Sequence, residues 1–141
     1  MNKATKGFTL IELVVVITIL GILAAFAIPR FANLETEARI AAVQGLAGSV
    51  RSGATLAHSL SLAKGLAPAD PVDMEGTAVA MANRYPTAAA IQATLVDTTG
   101  FDFAGGVFEK QGATDPAECS VTYVAPAAGE SPTITVNVDQ C

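Results

Sequence analysis

Hydrophobic and polar positions fall into three regimes along the chain. Residues 8–28 read FTLIELVVVITILGILAAFAI, 21 residues with a single charge, Glu12. As a helix this run spans roughly 30 Å, the thickness of a bilayer's hydrocarbon core. Beyond Pro29 the apolar positions become periodic. Ile40, Val43, Ala47, Val50, Ala54 and Ala57 recur at spacings of three and four, which predicts a helix with a narrow buried stripe. Glu35 and Arg39 stand four apart on another face as an expected ion pair. Gly45, Gly48 and Gly53 each weaken that helix by up to about 1 kcal/mol, and their expected role is close packing against a sheet. Gly65 and Pro68 end the pattern. One helix is therefore expected over about residues 8–63, its first half solvated by lipid or by other helices.

The third regime is short and β-rich. Residues 66–76 carry two prolines and three acids and are expected to form a loop. Residues 77–83 alternate as a strand, and Pro86 is expected at the first turn of a short helix over residues 87–95. A turn at residues 98–100 and a strand at residues 106–111 follow. CSVTYVA (119–125) and TITVNV (133–138) alternate β-branched residues around a turn-rich stretch, which predicts an antiparallel hairpin. The fold class is α+β.

Composition narrows the function. The chain is 51% hydrophobic and only 15% charged, with a net charge of −5. Nucleic acid is thereby excluded as a main partner, because phosphate binding needs clustered cations. With two cysteines and one histidine, the chain can scarcely supply a Cys/His zinc site. Lys3 and Lys6 precede the apolar run, so the C-terminal part is expected to face outward. The run exceeds the length of about 7–15 residues of a secretory signal core and has no clean cleavage site at its end, so it is read as retained. Glu12 has two readings. A carboxylate in a spanning helix is a functional candidate by default, or it lies one turn in and snorkels to the interface.

Other candidate chemistry reads as structural. Cys119 and Cys141 bracket the last hairpin and, in an exported domain, form one disulfide in the simplest reading. The chain-entropy model assigns such a closure about 3.4 kcal/mol, and a redox pair would need closer spacing and an activating base. His58 has no G-x-S-x-G elbow to serve and is expected at a rim or in solvent. Asp70, Asp73 and Glu75 lack EF-hand spacing and read as a solvated loop, so neither a metal nor a cofactor is expected. Phe26 and Phe31 are expected to pack. A phosphate-cradling glycine loop is missing.

Lys6-Gly7 followed by Phe8-Thr9-Leu10-Ile11-Glu12-Leu13 and the apolar run resembles a type IV prepilin N-terminus. Gly21 and Pro29 stand where that family usually has them. Within the family, residues 28–31 and Asn83-Arg84-Tyr85-Pro86 resemble the mannose-sensitive haemagglutinin pilins. The resemblance implies a type IV pilin fold, in which the second half of a long helix packs on a small antiparallel sheet. It implies a leader over residues 1–7, a membrane or filament-core helix over 8–30, and a globular head over 31–141 with a disulfide region over 119–141. A prepilin peptidase would cut between Gly7 and Phe8 and methylate the new amine of Phe8. Glu12 would then pair with the Phe8 terminus of a neighbouring subunit and set its register. The segment between Gly21 and Pro29 would be bent but helical in the isolated subunit and partly extended in a filament. Pilins commonly carry a C-terminal disulfide such as Cys119–Cys141.

The implied function is that of a major structural subunit of a type IV pilus used for adhesion, motility or biofilm formation, with no catalytic residue. Its implied partners are further copies of itself, the prepilin peptidase, and the assembly platform with its ATPase motor. The precursor would sit in the inner membrane and the mature chain in an extracellular filament. The alternative is a major pseudopilin of a type II secretion system. Those subunits resemble one another in a calcium-binding C-terminal loop, and residues 119–141 hold no Asp-rich glycine loop.

Overall fold

A computed structural model describes residues 7–141. The expected leader therefore lies, apart from Gly7, outside the described residues. The chain divides into two compact units, Met1–Glu35 and Thr36–Cys141. Helix α1 (Leu10–Ala63) starts in the first unit and carries Pro29 inside it. Residues 21–29 are helical and residues 7–31 are solvent-exposed wherever the side chain is described. Phe26 and Phe31, expected to pack, are instead 76% and 70% exposed. The reason is local: α1 is the only element of this unit among the described residues, so a helix has no second layer to bury them against.

In the second unit the predicted stripe faces the core. Val43, Ala47, Val50 and Ala54 are buried with Leu46 against Ile91, Phe108, Val121 and Tyr123. Each such large apolar side chain contributes about 1.5–3 kcal/mol on burial. Ala57 joins a second cluster with Val72, Val79 and Met81. The strands are β1 (Val72–Met74), β2 (Thr77–Val79), β3 (Met81–Ala82), β4 (Tyr85–Pro86), β5 (Phe101–Ala104), β6 (Val107–Lys110), β7 (Ser120–Val124) and β8 (Thr133–Asn137). They form two small hairpins, β1–β2 and β3–β4, and a four-stranded sheet in the order β5-β6-β7-β8. Adjacent strands are antiparallel throughout, with Val121 opposite Val136 in the predicted last hairpin. Cys119 and Cys141 are joined by a disulfide with Cα atoms 4.9 Å apart.

Three hairpins share one construction. In β1–β2, β3–β4 and β5–β6 the two residues between the paired ends are Glu75-Gly76, Asn83-Arg84 and Gly105-Gly106. All six have positive φ, as a two-residue turn matched to strand twist requires. Gly106 cannot be replaced cheaply. A Cβ there would lie 2.6 Å from the Tyr123 carbonyl oxygen and 3.0 Å from the Ala88 Cβ.

Several expectations need correction. The loop expected over 66–76 contains β1, and the strand expected over 77–83 is two strands with different partners. The short helix after Pro86 does not form. Pro86 belongs to β4, and only a 3-10 turn at Ile91–Thr94 follows. A helix starting at Pro86 would direct its carbonyl to the Ala90 amide. Instead that carbonyl accepts the Tyr123 hydroxyl at 2.8 Å, and Ala90 donates to the Thr87 carbonyl at 3.0 Å. The helical glycines do not pack on a sheet. A Cβ at Gly45 or Gly48 meets nothing within 4 Å, whereas one at Gly53 collides with Thr94 of the 3-10 turn.

Candidate functional site

At the start of α1 the backbone needs partners for its first amides, because helix N–H groups there have no intrahelical carbonyl. Thr9 and Glu12 supply them reciprocally. The Glu12 amide donates to the Thr9 hydroxyl oxygen at 3.3 Å, and the Thr9 amide donates to Glu12 Oε2 at 2.9 Å. The Thr9 hydroxyl also donates to that same Oε2 at 2.6 Å. Thr9 is thus the N-cap and Glu12 the third helical residue of a capping box, with the Thr9 carbonyl accepting the Leu13 amide at 3.3 Å. Such a cap is worth about 0.5–2 kcal/mol. Neither sequence reading of Glu12 included this role, although Thr-x-x-Glu before an apolar run is its signature.

Around the box everything is apolar and open. Phe8 is 84% exposed and Leu10 79%. Glu12 therefore presents a carboxylate at the head of an uncovered hydrophobic helix, and its partner within the chain is Thr9. The described helix contains an 18-residue window long and apolar enough to cross a membrane, none of it buried. The structure brings Gly7, Phe8 and Glu12 to one end of the first unit. Gly21 and Pro29 lie further along α1, and the cysteines lie in the other unit.

The remaining candidates have structural partners. His58, expected at a rim, is part-buried and stacked on Tyr85, with ring centroids 4.1 Å apart and planes 5° apart. Its Nδ1 lies 3.0 Å from the Arg84 carbonyl oxygen. Asp70 and Asp73 accept from the backbone amides of Ala67 and Gly76, at 2.9 and 3.1 Å, and so shape turns. Asp97 does the same for Thr99, whose hydroxyl and amide hold its carboxyl below the usual carboxylate range. Burial pushes the Tyr123 phenol up to about 12, with neighbouring Tyr85 adding to the effect.

Residues 2–28 match the family described as the prokaryotic N-terminal methylation motif. The chain is 49% identical over 67 residues to the type IV narrow pilus major component PilA5 of Thermus thermophilus, covering 48% of this chain and 56% of that protein. It is 33% identical over 93 residues to the fimbrial protein EcpC of Eikenella corrodens, covering 66% and 58%. Against the type IV major pilin protein PilE1 of Neisseria gonorrhoeae it is 46% identical over 55 residues, covering 39% and 33%. The chain thus spans little more than half the length of the curated relatives it matches, or less. No solved structure matches. The chain is thus similar to type IV pilins in its methylation motif and over its N-terminal part, and its long N-terminal helix, antiparallel sheets and terminal disulfide are consistent with that likeness.

Proposed function

We propose that this chain is the major structural subunit of a type IV pilus, a non-catalytic building block that polymerises through its N-terminal helix. The observation that carries the proposal is the exposed apolar surface of residues 8–28, which lies within the methylation motif. An exposed surface of that size needs lipid before assembly and sister helices afterwards. In this reading the prepilin peptidase cuts between Gly7 and Phe8 and methylates the Phe8 amine, removing the leader over 1–7. Residues 8–30 then hold the subunit in the inner membrane, with residues 31–141 outside. An assembly platform and its ATPase motor draw subunits into an extracellular filament. The relatives are named as pilins and fimbrial proteins, which favours this over the pseudopilin reading.

Glu12 sets register in this proposal by meeting the methylated amine of Phe8 on a neighbour. Such a pair is a device for placement more than for stability. The segment between Gly21 and Pro29 loosens on assembly, since proline removes a helix donor and glycine weakens the preceding turns. The capping box makes the test sharper. Glu12→Gln keeps the cap, because glutamine serves at that position, but removes the charge; Glu12→Ala removes both. The pairing role requires both variants to insert and to be processed to methylated Phe8 while sheared filament yield collapses. Normal filaments from Glu12→Gln would reduce Glu12 to its capping role. N-terminal sequencing of filament protein that begins at Met1 would overturn the processing step.

A further inference from the structure

A cleft of about 430 Å³ opens in the second unit between His58 of α1, the β3–β4 turn and the loop joining β7 to β8. That volume lies within the range of small-ligand sites. The stacked pair His58 and Tyr85 lines it. Arg84, Glu130 and Ser131 also line it. The Arg84 turn is rigidly built. Asn83 and Arg84 both hold left-handed backbone, with φ of 51° and 69°, an uncommon conformation for non-glycine residues. The Arg84 amide donates to the Pro68 carbonyl at 2.8 Å, Nη1 donates to the Leu66 carbonyl at 2.7 Å, and Asn83 Nδ2 donates to the Pro126 carbonyl at 3.0 Å. Two separated segments, residues 66–68 and Pro126, are thereby tied to one turn.

The two charges of the cleft are not used on each other. Arg84 directs Nη1 to a backbone carbonyl and keeps further guanidinium donors, while the Glu130 carboxylate has no hydrogen-bond or ion-pair partner among the described residues. We propose that this cleft binds a small zwitterion, a free α-amino acid with an apolar side chain. Its carboxylate meets the Arg84 fork, its ammonium meets Glu130, and its side chain lies against the His58–Tyr85 pair. Arginine suits a carboxylate because its planar donors can bind both oxygens. The ammonium gains further from neighbouring aromatic faces. A turn already held in its strained shape has little ordering left to lose on binding.

His58 is the only histidine in the chain, so its imidazole resonances report on the cleft without ambiguity. The full chain in detergent micelles is titrated with phenylalanine, with N-acetylphenylalanine, which lacks the ammonium, and with phenylalanine amide, which lacks the carboxylate. Phenylalanine is expected to shift the His58 signals saturably, and each derivative to bind about tenfold more weakly. Glu130→Gln, on an exposed loop, should weaken phenylalanine about tenfold and leave N-acetylphenylalanine unchanged. Arg84→Gly keeps a residue at home in left-handed backbone while removing the guanidinium, and should weaken phenylalanine about tenfold without affecting the amide. Retention of the His58–Tyr85 ring-current shift certifies the fold in each variant. No saturable shift with phenylalanine, or equal binding of all three compounds, overturns the proposal.

Discussion

Replacing the three helical glycines by alanine, one at a time, should give opposite signs from one chemical change. At Gly45 and Gly48 the new methyl meets no atom within 4 Å. Only helix propensity changes there, so each variant gains about 0.5–1 kcal/mol. At Gly53 the same gain exists, but the methyl would lie 3.0 Å from the Thr94 Cβ, 3.1 Å from the Thr94 carbonyl oxygen, and closer still to Oγ1. The hydroxyl is itself bonded to the Ile91 carbonyl at 2.8 Å, and the carbonyl belongs to the backbone of the 3-10 turn. Overpacking of this kind costs about 1–3 kcal/mol. Taking the middle of each range, the net for Gly53→Ala is a loss of about 1 kcal/mol. Denaturant unfolding followed by tyrosine fluorescence suits a chain with two tyrosines and no tryptophan. An unchanged slope with a displaced midpoint would show a change in stability alone. Gly53→Ala matching or exceeding the parent chain would refute the packing argument, as would equal destabilisation at all three sites.

Tyr123→Phe strands the buried Pro86 carbonyl and should cost about 1–3 kcal/mol in a thermal melt. The phenol of Tyr123 is raised to about 12 when folded, so the native chain keeps a proton that the unfolded chain releases near pH 10. Its contribution is complete below about pH 10 and is lost as pH rises toward 12, so melts across that window should fall steeply in the parent and less in Tyr123→Phe. Joint replacement of Cys119 and Cys141 by serine should lose about 3.4 kcal/mol by loop-closure entropy, read from the denaturant midpoint under non-reducing conditions. Thr9→Ala should fray the first turn of α1, visible as faster amide exchange at residues 10–13, while leaving the melting temperature of the second unit unchanged.

Legibility in the sequence followed the strength of the local pattern. The buried stripe from Val43 to Ala57 was legible because helical periodicity and burial share one cause. The last hairpin was legible because Val121 and Tyr123 alternate inward on a strand rich in β-branched residues. Strand β5 was missed although Gly105-Gly106 between FDFA and VFEK is a hairpin signal. Pro86 misled because a proline suits both the first turn of a helix and a short edge strand, and only the distant Tyr123 hydroxyl decides between them. The Asn83-Arg84 turn was hidden for a related reason. Arginine is a poor choice for left-handed backbone, and what holds it there is Leu66, Pro68 and His58, none of them neighbours in sequence. At the N-terminal site the charge of Glu12 is legible, whereas its bond to Thr9 depends on where the helix starts, which an apolar run with no break at Thr9 does not mark.

The strand order β5-β6-β7-β8 has a consequence for how the molecule is made. Every pairing in that sheet joins a strand to the next one along the chain, so the sheet consists of sequence-local contacts, the kind that form fastest. The stripe on α1 is different. Val43 and Val50 lie 58 to 80 residues ahead of their partners Phe108, Val121 and Tyr123 in the sequence. As the chain is made, the helix therefore precedes its partners and waits, amphipathic and unsatisfied, until a rapidly zippered meander arrives to cover it. Slowing that meander, for instance with a stiffer residue at Gly106, would lengthen the interval in which neighbouring chains aggregate through the bare stripe before each has folded.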